Sequence, residues 1–152
     1  MQQFADFAQR TPCRRGVVPP PDAVPGRPPL LHRDVGLGIN PALLKRIEQA
    51  DLVLMVGGRM SENPSQAYTL LDIPVPRQKL VHVHPDSAEL GRVYRANLAI
   101  NTSPAAFCAA LAQANGPSQP AWADDTQAMR ASYLQWSDPP PSARPARCNW
   151  AK

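Results

Sequence analysis

The sequence has little of what marks secreted, membrane or disulfide-stabilised proteins. It contains three cysteines, an odd number with no CxxC spacing, so it predicts no disulfide framework and favours a reducing compartment. No apolar run approaches the roughly 20 residues that span a bilayer. The polar start, MQQFADFAQR, lacks the apolar core of a signal peptide. We therefore expect a cytoplasmic protein that makes no contact with a membrane.

Positive charge is present but is not arranged for binding nucleic acid. The net charge is +4, and the basic excess lies mainly in proline-rich flanks at the two ends. A nucleic-acid interface needs basic residues clustered on a folded face, with aromatic residues among them. Arginines scattered through a coil do not meet that requirement, so we expect no nucleic-acid partner.

Proline divides the chain into segments of different character. Of the 19 prolines, seven fall within residues 11–33 and only six within 36–113. Proline fixes φ and lacks an amide donor, so a dense run of it forms neither a helix nor a central strand. We predict an irregular segment over 1–33, a folded domain over 34–114, a linker with an amphipathic helix over 115–138, and a disordered tail over 139–152.

The folded segment predicts alternating helices and strands. Asn40-Pro41 is a typical helix start, and residues 52–56 are continuously apolar, as in a parallel strand covered on both faces. There follow an excursion over 59–78, a strand over 80–83, a short helix from Asp86, a strand over 98–100 and a helix capped by Ser103. This order predicts an α/β fold, an incomplete Rossmann-like parallel sheet with helices on both faces and irregular proline-rich flanks.

Two strand ends carry the candidate cofactor-binding residues. Gly57, Gly58 and Arg59 follow the first strand, at the edge where open α/β sheets bind ligands. Glycines let a phosphate or ribose approach the backbone, and arginine can pair a phosphate through two hydrogen bonds. The same glycines could equally form only a turn. Asp86 follows the second strand, where it could accept hydrogen bonds from a ribose or cap a short helix in a capping box with Glu89.

No residue set in the sequence points to catalysis. There is no GxSxG, P-loop, HExxH or EF-hand pattern, so we assign no catalytic residue. His82 and His84 lie two apart on the second strand and therefore on one face. Two imidazoles at this spacing can ligate zinc, but no third or fourth ligand is evident. We interpret them as a structural pair and assign no metal ligand.

Four motifs follow one another through the folded segment. They are the opening VGLGINP, the strand DLVLMVGGR, the acidic turn HPDSAELGR and a closing AIN-SPAAF. Residues 34–112, which contain them, closely resemble the central domain of thiamine-diphosphate-dependent enzymes of the acetolactate synthase type. The resemblance implies a Rossmann-like domain from a decarboxylase or carboligase that acts on 2-oxo acids.

The resemblance implies different cofactors for the parent enzyme and for this domain. Thiamine diphosphate and Mg²⁺ are held in that family by other domains, which we do not find in the sequence. The central domain binds FAD or ADP in some members, and Gly57, Arg59 and Asp86 match positions near such a ligand. His84 stands where members often carry an acidic residue, which is a departure from that pattern.

Three functions remain open from the sequence. The first is an enzyme fragment that is inactive alone, whose parent is an oligomer and whose partners are the catalytic domains or chains of that parent. The second is a free-standing module that binds FAD or ADP. The third is a subunit that docks its helix over 121–136 on a larger catalytic chain.

The proline-rich flanks suggest a specific origin. With suitable GC-rich codons, residues 16–33 read one nucleotide later would contain SFRRQ, a pattern of the family just before its DVGLG segment. Residues 144–152 read two nucleotides later would likewise resemble the following family segment. We therefore hypothesise that both flanks are out-of-frame translations, which codons of the gene incompatible with these frames would refute.

Overall fold

Three parallel strands form the centre of the fold in a computed structural model that describes residues 35–36, 38–114 and 123–137. The strands are β1 (Leu52–Val56), β2 (Lys79–His84) and β3 (Leu98–Asn101), and they lie in the order β1-β2-β3. Both pairs are parallel, and the register places Leu54 beside Val81 and Val81 beside Leu98. The irregular segment predicted over 1–33 and the tail predicted over 139–152 lie outside the described residues.

Helices precede and follow the strands as predicted, but the short helix expected from Asp86 is only a 3₁₀ turn. The helices are α1 (Pro41–Glu48), α2 (Pro104–Leu111) and α3 (Ala123–Ser137), and a single 3₁₀ turn, Ser87–Glu89, lies between β2 and β3. The excursion over 59–78 contains turns and bends but neither a helix nor a strand. The predicted fold class, an incomplete Rossmann-like α/β sheet, is confirmed.

Side-chain caps fix where the helices begin. Oδ1 of Asn40 accepts a hydrogen bond from the amide of Ala42 at 2.9 Å, and Oγ of Ser103 accepts one from the amide of Ala106 at 3.2 Å. Each cap is followed by a proline, which loses nothing at a first helical position because the amide there has no partner within the helix. Both helix starts predicted from the sequence are confirmed.

The main core lies on one face of the sheet. Leu80 of β2 is fully buried and packs with Val35, Leu70, Leu71 and Tyr94. Partly buried side chains of β1 and α1 pack against this cluster, which places α1 and the excursion over the same face. The cluster therefore packs β1 and β2 against α1 and against the excursion that connects the two strands.

The opposite face of the sheet is largely open, which corrects one expectation. The continuous apolar run of β1 predicts a strand covered on both faces, yet Leu52 is 54% exposed and Leu54 is 38% exposed. Leu98 on β3 is 53% exposed. Val83 is fully buried, and α2 contacts its strand, so the cover is confined to the carboxyl end. An apolar strand can be buried on both faces, but whether it is depends on which other segments pack on the sheet.

The carboxyl-terminal helix packs on the same chain. Arg46 of α1 forms an ion pair with Asp125 at 2.6 Å, and Nδ2 of Asn40 donates to Oγ of Ser132 at 3.2 Å. Tyr133 is buried, whereas Trp136 is about half exposed. The helix predicted over 121–136 is therefore present. None of the helices in the described ranges is both long enough and apolar enough to cross a bilayer.

Candidate functional site

Gly57 brings the chain out of β1 at the carboxyl edge of the sheet. Its amide donates to the carbonyl of Val83 at 2.8 Å, which extends the ladder by one bond, and its φ is +70°. A Cβ added at Gly57 would lie 2.5 Å from Cγ of Pro104, the first residue of α2. The lack of a side chain therefore lets α2 begin directly over the end of β1.

A cleft of about 260 Å³ opens beside the ends of β1 and β2. Its apolar wall comes from methionine, valine and tyrosine side chains, namely Met55, Met60, Val93 and Tyr94. Its polar lining consists of Arg59, Ser61, Tyr68, His82, Glu89 and Arg92. An apolar wall with a few convergent polar groups is the usual character of a small-molecule site.

Two arginines share one carboxylate at this cleft. Oε1 of Glu89 accepts a hydrogen bond from a terminal nitrogen of Arg92 at 2.7 Å and lies 3.6 Å from Nε of Arg59. The carboxylate side chain is only 10% exposed, whereas the arginine side chains are 59% and 64% exposed. Among the residues that the structure describes, one positive charge at this contact thus stays uncompensated, with exposed guanidinium groups beside the cleft, which favours an anionic ligand.

Tyr94 brings a buried polar atom to the same cleft. Tyr94 is 4% exposed, and its hydroxyl lies near the hydroxyl of Ser65. Burial raises the pKa of Tyr94, and the nearby Ser65 hydroxyl opposes that shift. Oγ of Ser65 already donates to the carbonyl of Glu62 and accepts from the amide of Tyr68. Because a serine oxygen has two lone pairs, Oγ of Ser65 can also accept a hydrogen bond from the Tyr94 hydroxyl.

Tyr68, which lines the cleft, lies at the end of a strained turn. Three consecutive residues that are not glycine, Gln66, Ala67 and Tyr68, have φ values of +52°, +56° and +63°. Such conformations each cost about 1–3 kcal/mol and persist where the surroundings hold them. Hydrogen bonds of Ser65 supply this restraint, together with the donation from the amide group of Gln66 to the carbonyl of Gly36 at 3.3 Å.

The two strand histidines lie on one face, as predicted. Their ring centroids are 5.9 Å apart. Nε2 of His82 lies 3.2 Å from the carbonyl oxygen of Gly58, and Nδ1 of His84 lies 3.1 Å from the amide nitrogen of Asp86. Each imidazole therefore holds the loop that follows a strand. Within the described ranges, no group of three or more His, Cys, Asp or Glu is placed to hold a metal ion.

Burial makes His82 sensitive to pH. Burial lowers the pKa of His82 below its ordinary 6.5, and the charge of His84 acts in the same direction. The hydrogen bond to Gly58 and the charge of Glu89 oppose the shift but do not reverse it. The folded state therefore prefers the neutral imidazole more strongly than the unfolded state does.

This preference predicts how stability varies with pH. The contribution of His82 is fully present above its unfolded pKa, and it is lost as pH falls from 6.5 through the lower pKa of the folded state. The free energy of unfolding should therefore fall as the pH drops below about 6.5. In His82→Gln, which can still donate to Gly58, urea titrations should show a smaller fall. An equal fall in both proteins would contradict this origin.

Asp86 occupies a capping position beside the cleft. Its Oδ1 accepts from the amide of Ala88 at 2.9 Å, so it caps the 3₁₀ turn over 87–89. The capping box expected with Glu89 is not formed, because the amide of Asp86 donates to His84 and the Glu89 carboxylate contacts arginine instead. Asp86 is itself exposed and does not line the cleft.

Comparison with protein families shows which family the sequence matches. The family model described as thiamine pyrophosphate enzyme, central domain, matches residues 3–111. The chain belongs to this family. Its match begins before the segment over 34–112 whose motifs carry the resemblance, and it ends within α2. No curated protein matches the chain.

Only part of the predicted site of this thiamine pyrophosphate enzyme domain meets at the cleft. Arg59 lines it, and Gly58 contributes through its carbonyl to His82, whereas Gly57 lies under α2. Sequence reasoning missed the tyrosines and Arg92. The spacing of three residues between Glu89 and Arg92 is a local sequence signal of an ion pair. The contact of Arg59 with the same carboxylate has no such signal in the sequence.

The polar lining of the cleft suits an anionic group. Two exposed guanidinium groups suit phosphate oxygens. For Mg²⁺ the described ranges contain no cluster of carboxylates. Thiamine diphosphate is the cofactor that the family implies for the parent enzyme.

Proposed function

We propose that the chain is a partial central domain of a 2-oxo acid decarboxylase or carboligase of the acetolactate synthase type, and that its cleft binds an adenine nucleotide. The ligand is ADP or the adenine nucleotide part of FAD. The observation that carries the proposal is the excess of guanidinium over carboxylate charge among the described residues of a cleft with an apolar wall. The parent enzyme supplies thiamine diphosphate and Mg²⁺ chemistry, and the chain alone is inactive.

Each predicted site residue has a place in this proposal. Arg59 pairs a phosphate through its exposed terminal nitrogens, and Asp86 accepts from ribose hydroxyls at the rim while it continues to cap its turn. Gly58 acts through its carbonyl, which lies 3.2 Å from Nε2 of the cleft residue His82. Gly57 acts indirectly by seating α2 over the strand end.

Binding of ADP and FAD tests the proposal directly. Calorimetric titration should detect both ligands, and Arg59→Ala should weaken ADP binding by about tenfold to a hundredfold, because hydrogen bonds to charged groups are worth about 1.5–3 kcal/mol. Arg95→Ala is the matched control, since Arg95 is exposed and does not line the cleft. Absence of binding to the wild-type chain, or equal loss in both variants, would refute a nucleotide site.

The docking subunit remains a second hypothesis. Its contact helix, α3, has half-exposed Leu134 and Trp136, which could face a larger chain. The same helix already packs on α1 through Asp125 and Ser132, so the observations favour the nucleotide cleft. Co-purification with a larger polypeptide, lost in Trp136→Ala, would support docking.

A further inference from the structure

The carboxylate of Glu89 occupies the point where an anionic ligand would meet both arginines. Its Oε1 is the only acceptor that the described residues present to the side chains of Arg59 and Arg92 together. The carboxylate is largely shielded from water, and the guanidinium groups are largely exposed. A group that approaches from the solvent side thus reaches the arginine donors but competes with a negative charge already seated between them.

We propose that Glu89 is a built-in competitor for the diphosphate group of the ligand, which binds between Arg59 and Arg92 in place of the carboxylate. This inference rests on the proposed nucleotide function and adds where the phosphates bind and which residue limits their affinity. A phosphate oxygen pair matches the planar fork of an arginine, which a single carboxylate oxygen shared by two arginines does not. The contact of Glu89 with Arg59, at 3.6 Å, is longer and weaker than its contact with Arg92. The incoming phosphate therefore displaces the carboxylate from Arg59 first.

The wall of the cleft is consistent with this placement. Tyr68, held by its strained turn, and the buried Tyr94 line the same cleft as the arginines. His82 lines the cleft as well, and it stays neutral above pH 6.5 because burial lowers its pKa.

Removing the competing charge gives an unusual expected result, a gain of affinity. Glu89→Gln should bind ADP, and inorganic pyrophosphate without metal, roughly tenfold more tightly than the wild type, because a like charge beside a bound anion costs at least about 1.4 kcal/mol. Arg92→Gln should weaken both ligands by a similar factor. Misfolding cannot produce the gain, so the two variants together separate binding from folding.

Two controls have matching changes of charge away from the cleft. Glu48 is exposed at the end of α1, and Arg95 is exposed beyond Tyr94. Glu48→Gln and Arg95→Gln should leave both affinities within about twofold of the wild type, because neither residue lines the cleft and salt screens exposed charges. Equal gains in Glu89→Gln and Glu48→Gln would reduce the effect to net charge and overturn the proposal.

The two ligands separate failure of this inference from failure of the proposed function. If ADP binds but Glu89→Gln leaves its affinity unchanged, the competitor role is refuted and the nucleotide function stands. If pyrophosphate binds Glu89→Gln more tightly and ADP binds neither protein, the competitor role stands and the nucleotide function is refuted. If neither ligand binds any variant, both are refuted.

Discussion

Gly57→Ala should cost the protein about 2–4 kcal/mol of its free energy of unfolding, the sum of a left-handed backbone penalty and a steric clash. The backbone at Gly57 has φ of +70°, which a residue with a Cβ adopts at a cost of about 1 kcal/mol. The new Cβ would also lie 2.5 Å from Cγ of Pro104. Since that atom belongs to a ring in the first turn of α2, relief requires movement of the helix.

Two other glycines separate the two causes. Gly38 has φ of +74° with no atom near an added Cβ, so Gly38→Ala should show the backbone penalty alone, about 1 kcal/mol. Gly58 has an ordinary φ and room for a Cβ, so Gly58→Ala should stay within about 0.5 kcal/mol of the wild type. Urea unfolding measures all three. Equal costs at Gly57 and Gly38 would show that Pro104 does not pack over Gly57.

Leu80→Ala should cost about 2–5 kcal/mol, the usual range for truncating a fully buried leucine, because the cavity adds to the lost burial. Leu80 has no exposed surface and lies in the cluster that joins β2 to the excursion and to Tyr94. Small domains have only about 5–15 kcal/mol of stability, so the variant should be partly unfolded under mild conditions.

The open face of the sheet provides the matched control. Leu98 is the same residue type on the neighbouring strand and is 53% exposed, so Leu98→Ala should cost less than about 1 kcal/mol. The difference between the two leucines, measured by urea unfolding, tests which face contains the core. A Leu98→Ala loss as large as that of Leu80→Ala would mean that the exposed face is covered in solution.

The sequence predicts the elements of this fold well because their signals are local. Asn40-Pro41 and Ser103-Pro104 contain both the cap and the first helical residue, so each helix start is confirmed. The two apolar runs that end at Val56 and His84 similarly show where parallel strands finish. Each of these elements can be predicted from its own few residues, without knowledge of tertiary contacts.

The candidate site is predicted only in part, because its residues meet through tertiary contacts. Arg59 could be found from its place after a strand, but its contact with Glu89 depends on the register of β1 against β2. The left-handed turn that places Tyr68 contains no glycine, so the sequence has no local signal from which to predict it. The exposure of Leu54 depends on which segments cover the sheet, and the apolar character of the strand says nothing about that.

The location of bound ADP tests the central claim most directly. Backbone amide spectra of the ¹⁵N-labelled chain, recorded during ADP titration, should shift at Gly58, Arg59 and Arg92 and stay constant at Asp72 and Gln78. Those two residues line a separate depression away from the arginine cleft. Shifts confined to that depression, or no saturable shift at the arginines, would contradict a nucleotide site at the carboxyl edge of the sheet.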